Sequence, residues 1–308
     1  MHVPVLADAC IDWLQVQPDG TYVDCTAGAG GHAEMIAERL ENGRLIALDR
    51  DPAAAEGVRK RLARYPFAEV HQRNYSELAT VLDELGIEAV DGILLDAGMS
   101  SMQVDDPSRG FSFQEEGPLD MRMDSSQGQT AAQWLASTPT ASLAQTLKEF
   151  ADVGPAKRIA QSIHERATEG TLVTTHDLKA AIQSVLGQAF DRGTVIRQVF
   201  QAIRIAVNQE LDALDQALPA AIKHLKPRSR LVVLSFHSGE DRIVKRNFQT
   251  YSRKQRTLNL DGTDAVVRPP LIRVLTKKPQ LPTAEEIAAN SRAQSAKLRV
   301  AERLETAS

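Results

Sequence analysis

The sequence predicts an α/β fold: a parallel sheet covered by helices on both faces, interrupted by an all-helical insert. Three observations predict it. Apolar runs alternate with helical periodicity from residue 20 to 100, which is the rhythm of βαβ units. A purely helical signal then extends from about Thr130 to Leu218. A strand, Arg230-Leu-Val-Val-Leu-Ser-Phe236, afterwards resumes the α/β pattern.

The first strand, 21–25, carries Tyr22-Val-Asp24 into a loop with Gly28, Gly30 and Gly31, and a helix over 32–41 follows. Glycine lets backbone approach a ligand closely and adopts positive φ without strain. A strand, a glycine loop and a helix start together form a cradle for a nucleotide or nucleoside. The second strand, 44–49, ends in Asp49, about 20 residues past the glycines, where a ribose-binding carboxylate is expected. Helix 52–64, strand 68–72, helix 76–85 and strand 91–96 complete the alternation, and the last strand ends in Asp96 before Ala97-Gly98. Sheets of this class bind ligands beyond the carboxyl ends of their strands, so Asp24, Asp49 and Asp96 should converge on one pocket.

Gly28, Gly30 and Ala33 fit G-x-G-x-x-G/A, a pattern shared by nicotinamide, flavin and S-adenosylmethionine sites. An acid just before the glycines is unwelcome beside a pyrophosphate, so Asp24 favours S-adenosylmethionine.

From Gly98 to about Gln129 the chain is rich in Ser, Asp, Gly, Pro and Met and carries little periodicity; a loop of this length is functional or disordered. Helices are predicted over Ala131–Ala136, Ala141–Phe150, Ala156–Ala167, His176–Leu186 and Thr194–Leu218. In the last, Val195, Val199, Ile203 and Val207 recur every fourth residue, and Leu211 and Leu214 continue the stripe. Thr174 with Asp177, and Thr283 with Glu286, have capping-box spacing. A helix from Glu240 to Tyr251 and late strands within Pro269–Lys277 and Leu298–Leu304 are expected. The resulting domains are 1–112 with 219–308, and an inserted helical, substrate-recognition domain over 113–218.

The composition, 43% hydrophobic and 25% charged over 308 residues, is that of a globular chain. No apolar run reaches the roughly 18–20 residues of a membrane span, and no signal-peptide pattern opens the chain, so a cytoplasmic location is expected. Cys10 and Cys25 are the only cysteines, too few for a disulfide framework or a zinc site; reduced, buried thiols are expected. The seven histidines are scattered, so no metal site is expected. Residues 222–303 hold 18 Lys and Arg against 7 Asp and Glu, while the rest of the chain has 18 against 33. A basic segment on an acidic protein points to a polyanionic partner on one surface.

Several long segments resemble a known family. These are His2-Val-Pro-Val-Leu6, Asp24–His32, Leu94-Leu-Asp96-Ala-Gly98-Met-Ser100-Ser101-Met-Gln103, Arg109-Gly-Phe-Ser-Phe113 and Gly117-Pro-Leu-Asp-Met-Arg-Met-Asp124. Phe200-Gln-Ala-Ile-Arg-Ile205, Ser235-Phe-His-Ser-Gly-Glu-Asp-Arg-Ile-Val-Lys245 and Ser295–Arg303 extend the likeness over almost the whole chain. They resemble the bacterial small-subunit ribosomal RNA methyltransferase H family, also called MraW. The resemblance implies a Rossmann-like S-adenosylmethionine-dependent methyltransferase fold with an inserted helical domain. It further implies methyl transfer to the exocyclic N4 amine of a cytidine in the decoding region of 16S rRNA, within the small ribosomal subunit.

By the same resemblance Gly30, Gly31, His32, Asp49, Tyr75, Asp96 and Gln103 bind the cofactor, with Tyr75 where the family usually has Phe. The chain departs from the family at Thr194-Val-Ile-Arg197, at Asn290-Ser-Arg-Ala-Gln294-Ser and at Gly239. Cytosine's amine needs an acceptor that localises its lone pair and takes a proton; Asp96 and His237 are the candidates. Arg109, Phe111, Phe113 and Arg122 are candidates to hold an extruded base, and Lys245 and Arg246 to contact phosphates. Rival readings are a methyltransferase acting on another nucleic acid, a nicotinamide oxidoreductase, and a non-catalytic rRNA-binding assembly factor. The Asp-Ala-Gly-Met run after the fourth strand, where DNA amino-methyltransferases carry Asp-Pro-Pro-Tyr, weighs against DNA.

Overall fold

The computed structural model of the protein describes residues 4–187, 192–258 and 264–305. Two compact units compose it, Met1–Gly98 with Leu211–Ser308, and Met99–Glu210. The first opens on α1 (Ala7–Leu14) and alternates β1 (Thr21–Asp24), α2 (Gly31–Ala37), β2 (Arg44–Asp49), α3 (Pro52–Leu62), β3 (Ala68–Gln72), α4 (Leu78–Glu84) and β4 (Val90–Asp96). All four strands fall within a residue of the expected bounds. Helix α1 was not expected; it is short and both flanking residues, Leu6 and Gln15, are left-handed without being glycine.

The second unit holds α5 (Ser101–Asp105), α6 (Ala131–Ser137), α7 (Thr140–Ala151), α8 (Ala156–Thr168), α9 (Thr175–Val185) and α10 (Arg192–Asn208). Pairs four apart, Leu143 with Leu147, Ile159 with Ile163 and Leu178 with Ile182, are fully buried in its core. Each such side chain contributes about 2 kcal/mol of apolar burial. The Thr174 side chain caps α9 reciprocally with Asp177, as the spacing predicts.

The single helix expected over Thr194–Leu218 is two. Gln209 turns to φ 51, which ends α10, and α11 (Glu210–Lys223) begins anew. The apolar stripe ran through the break unchanged because it serves two cores: Val195, Val199 and Ile203 lie in the helical unit's core and Leu214 in that of the first unit. This break places the unit boundary after Glu210 rather than at 218. At the other end the boundary lies after Gly98 rather than 112, because Phe111 is buried in the helical core.

The chain then forms β5 (Leu225–Ser235), α12 (Ser238–Tyr251), a separate antiparallel ribbon of β6 (Gln255–Leu258) and β7 (Asp264–Arg268), then β8 (Ile272–Val274), α13 (Ala284–Ala289) and β9 (Lys297–Arg303). Strand order in the main sheet is β3-β2-β1-β4-β5-β9-β8. β1 to β5 run parallel, β9 pairs antiparallel with β5, and β8 pairs antiparallel with β9. Thr283 caps α13 by accepting the Glu286 N–H, but Glu286 does not reciprocate; its carboxylate accepts the Leu6 N–H instead.

Period-two alternation sorts the sheet's side chains to two apolar layers. Val23, Ile46, Leu48, Ile93 and Leu95 belong to the layer that includes Val81, Leu218 and Phe248. Tyr22, Leu45, Ala47 and Leu94 belong to the layer with Cys10, Ala33, Ile36 and Val58, from α1, α2 and α3. Cys10 and Cys25 are free and buried. Among the described residues no helix is long and apolar enough to cross a membrane.

Candidate active site

The chain moves outward from β1 in one direction through β2 and β3, and in the other through β4 and β5. The crevice beyond β1 and β4 is therefore the switch point of the sheet, where ligands bind. Register sets its contents. Asp24 pairs with Ala47 of β2 and Leu94 of β4; Asp49 and Asp96 lie two residues beyond those partners. A two-residue step returns to the same face, so all three carboxylates project on the side of α1 and α2. The three acids expected to converge thus stand at adjacent strand ends on one face, and Asp96 and Asp49 both act on Asp24 electrostatically.

Asp24 has no exposed surface. Its Oδ1 accepts the Thr26 N–H at 3.1 Å, and its Oδ2 is buried without a hydrogen-bond partner. Burial, together with Asp96 and Asp49, pushes this carboxyl up to about 7 against the pull of the Thr26 N–H. Asp49 accepts from Gly28 N–H at 2.7 Å and Asp51 N–H at 2.9 Å; burial raises it to about 6. The loop between these acids needs its glycines: Gly28 has φ 52 and Gly30 φ 81. Gly31 has no room for a side chain, since a Cβ would stand 2.3 Å from Pro4 Cγ.

Asp96 accepts the Gly98 N–H at 3.1 Å and donates its own N–H to Thr26 Oγ1 at 2.6 Å. Thr26 thus ties Asp24 and Asp96 together, a role the sequence did not signal. Burial and then the nearby Glu240 carboxylate push Asp96 upward, although a fifth of its side chain, 21%, stays open. Its Oδ2 lies 3.9 Å from His32 Nδ1, beyond hydrogen-bond range. Burial lowers His32 to about 4, so the ring is neutral and the two form no ion pair. Tyr75 opens a single 3-10 turn beyond β3, half-buried against the layer containing Leu78.

Other expected residues have structural tasks. His237 is the N-cap of α12: its Nδ1 accepts the Glu240 N–H at 3.4 Å, and its Nε2 is 2.9 Å from Glu240 Oε1. Glu240, buried, accepts the Phe236 N–H at 2.7 Å. Gln103, in the helical unit, accepts the Ser100 N–H at 3.2 Å and completes the cap of α5. Arg109 donates to the carbonyls of Arg122 and Met123 at 3.0 and 2.9 Å. Arg122 forms a two-pronged pair with Asp120 at 2.8 Å on each prong. Phe111 is buried, and Phe113 packs edge-on against Phe200 at 5.3 Å. Each of these four thus has partners within the helical unit. On α12 Lys245 is exposed, whereas Arg246, 61% exposed, pairs with Asp215 at 2.6 Å. Among the described residues no group of three or more His, Cys, Asp or Glu is arranged to hold a metal ion.

Comparison with known proteins adds a sequence-wide relation. The sequence model of the MraW methylase family matches residues 1–304. A ribosomal RNA small subunit methyltransferase H of Nitrosomonas europaea is 44% identical over 100% of this chain and 99% of its own length. The protein of that name from Azoarcus sp. is 43% identical, covering 98% of this chain and 96% of its own. The one from Nitrosospira multiformis is 45% identical over 99% and 98%.

Proposed function

Because this chain belongs to the MraW methylase family, we propose that it methylates small-subunit ribosomal RNA with S-adenosylmethionine, at the N4 amine of a cytidine in the decoding region. The meeting of Asp24, Asp49 and Asp96 around the glycine loop is the observation that carries this reading. The residues present fit the cofactor. Asp49 uses one lone pair on each oxygen for backbone N–H groups, which leaves acceptor capacity for two ribose hydroxyls. Asp24 Oδ2, buried and unpartnered, suits a cationic or N–H group of the amino-acid end. Gly30, Gly31 and His32 border the same loop, and Tyr75 joins the set on the strength of family likeness.

The bound sulfonium supplies an electrophilic methyl carbon. The protein's work is on the other partner, a poorly nucleophilic amine. Asp96 accepts an amine hydrogen, localises the nitrogen lone pair and takes the proton as the new bond forms. Its upward-shifted carboxyl is tuned toward neutral pH, where a base is most effective. His237 is the weaker candidate, because both ring nitrogens already face Glu240. Holding amine and methyl in line supplies much of the remaining acceleration. The base must leave its stack to reach such a crevice. Lys245, with Arg246 and the exposed Arg253 and Lys254, would steady the phosphates. The substrate is rRNA in the small subunit, and the cytoplasm is the expected compartment.

The test supplies labelled S-adenosylmethionine to small subunits lacking the modification, and to naked rRNA, then locates the methyl group by mass spectrometry. Methylation of a cytidine amine that disappears with Asp96→Ala supports the reading. Transfer to another atom would overturn the N4 assignment, and no transfer to either RNA would overturn the enzymatic reading.

A further inference from the structure

We propose that Glu286, near the end of the chain, is a positioning residue for the methyl-donor site, acting by holding the N-terminal segment Pro4–Leu6 against Gly31 and His32. The proposal rests on the reading of that site given above. Glu286 stands in the first turn of α13, and its Oε1 accepts the Leu6 N–H at 2.5 Å across 280 residues of chain. Its capping-box position would ordinarily turn it back to the Thr283 N–H; here it crosses to the other end of the chain. Leu6 needs such a hold, for its φ of 50 and ψ of 36 lie in the left-handed region, which leucine disfavours.

The held segment bears directly on the glycine loop. Pro4 fills the space that a Gly31 side chain would need, 2.3 Å from its Cβ position. The Val5 carbonyl faces His32 Nε2 at 3.3 Å. A carbonyl only accepts, so Nε2 carries the ring proton and Nδ1 keeps a lone pair. Nδ1 and Asp96 Oδ2 then face one another across 3.9 Å as two acceptors, a seat for an N–H donor. With the other tautomer, His32 would itself direct a proton at Asp96 and compete for the carboxylate that the reaction uses. Glu286, through Leu6 and Val5, thereby selects the acceptor surface presented by the site.

Nitrogen-15 spectra of the ligand-free protein read the His32 tautomer, and calorimetry with S-adenosylhomocysteine reads the site. The wild type is expected to show one form, protonated at Nε2. Glu286→Ala is expected to show mixed tautomers and about tenfold weaker binding, the scale of one lost hydrogen bond. Glu286→Gln, which keeps an acceptor oxygen, should restore both. If Glu286→Ala fails to keep the wild-type melting curve, Glu286→Asp, one methylene shorter, replaces it with the same expectation. An unchanged tautomer or unchanged affinity in the Ala or Asp variant overturns the proposal, as does a loss in Glu286→Gln equal to that in Glu286→Ala. A wild-type protein that binds no S-adenosylhomocysteine would instead refute the methyl-donor reading, while the tautomer result still decides the role of Glu286.

Discussion

Replacing Asp24 with asparagine should flatten the pH dependence of stability. The carboxyl has no exposed surface and one unpartnered oxygen, and it rises from 3.8 to about 7 on folding. Well below pH 3.8 it is neutral whether the chain is folded or not, and its contribution to stability is complete. As pH climbs from 4 to 7 the unfolded chain ionises while the folded one holds its proton, so stability falls, levelling off above 7. At about 1.4 kcal/mol per pH unit, a rise of about 3 units amounts to a loss of up to about 4 kcal/mol. Asparagine keeps an oxygen for the Thr26 N–H and cannot ionise. Its advantage over wild type should therefore be small at pH 4.5 and grow to a few kcal/mol at pH 8. Urea unfolding of both proteins at pH 4.5, 6 and 8 measures it. Parallel stability curves would refute the assignment of a strained buried carboxyl. At pH 8, where the Asp24 carboxyl is ionised, the same variant should bind S-adenosylhomocysteine less tightly if Asp24 holds the amino-acid end as proposed.

Further expectations concern single residues. His237→Ala should cost about 1 kcal/mol of stability as a lost helix cap. Folded His237→Ala should keep methyl transfer within about threefold, whereas loss of a general base costs roughly 10²–10⁴; initial rates distinguish the two. Lys245→Ala should weaken RNA binding and reduce the slope of log affinity against log salt by about 1, as filter binding at several salt concentrations would show. Ile203→Ala, emptying a fully buried site of the helical unit, should destabilise by about 2–5 kcal/mol in denaturant titration. Gln209→Gly should stabilise by up to about 1 kcal/mol, since glycine takes the φ of 51 without a Cβ clash; a lowered melting temperature would contradict that account.

Much of the parallel half of the sheet was legible because β2, β4 and the end of β5 are short apolar runs closed by a polar residue. Leu45-Ile46-Ala47-Leu48 admits hardly any other reading, and the acids at 24, 49 and 96 mark the carboxyl ends of β1, β2 and β4. The capping role of His237 was also written in the chain, in a glutamate three residues on, but a histidine at a strand end reads as readily as a base. Gln209 left no trace, because the apolar stripe crosses it in phase and only the division between two cores reveals the break. Arg109 and Arg122 carry charges that look available to a substrate until the carbonyls and the Asp120 carboxylate they bind are placed. Glu286 signalled a local cap, and nothing nearby in sequence announces a partner 280 positions upstream.

The pairing of β4 with β5 has a consequence for synthesis. Val90–Asp96 finds its neighbour only after the whole of Met99–Glu210 has been made. During that interval Ile93, Leu94 and Leu95 belong to a bare strand edge, open to any other extended chain. Ribosomes translating this message are therefore expected to hold an unfinished sheet while an independently cored helical unit takes shape. A chaperone that shields apolar edges would matter most between those two moments.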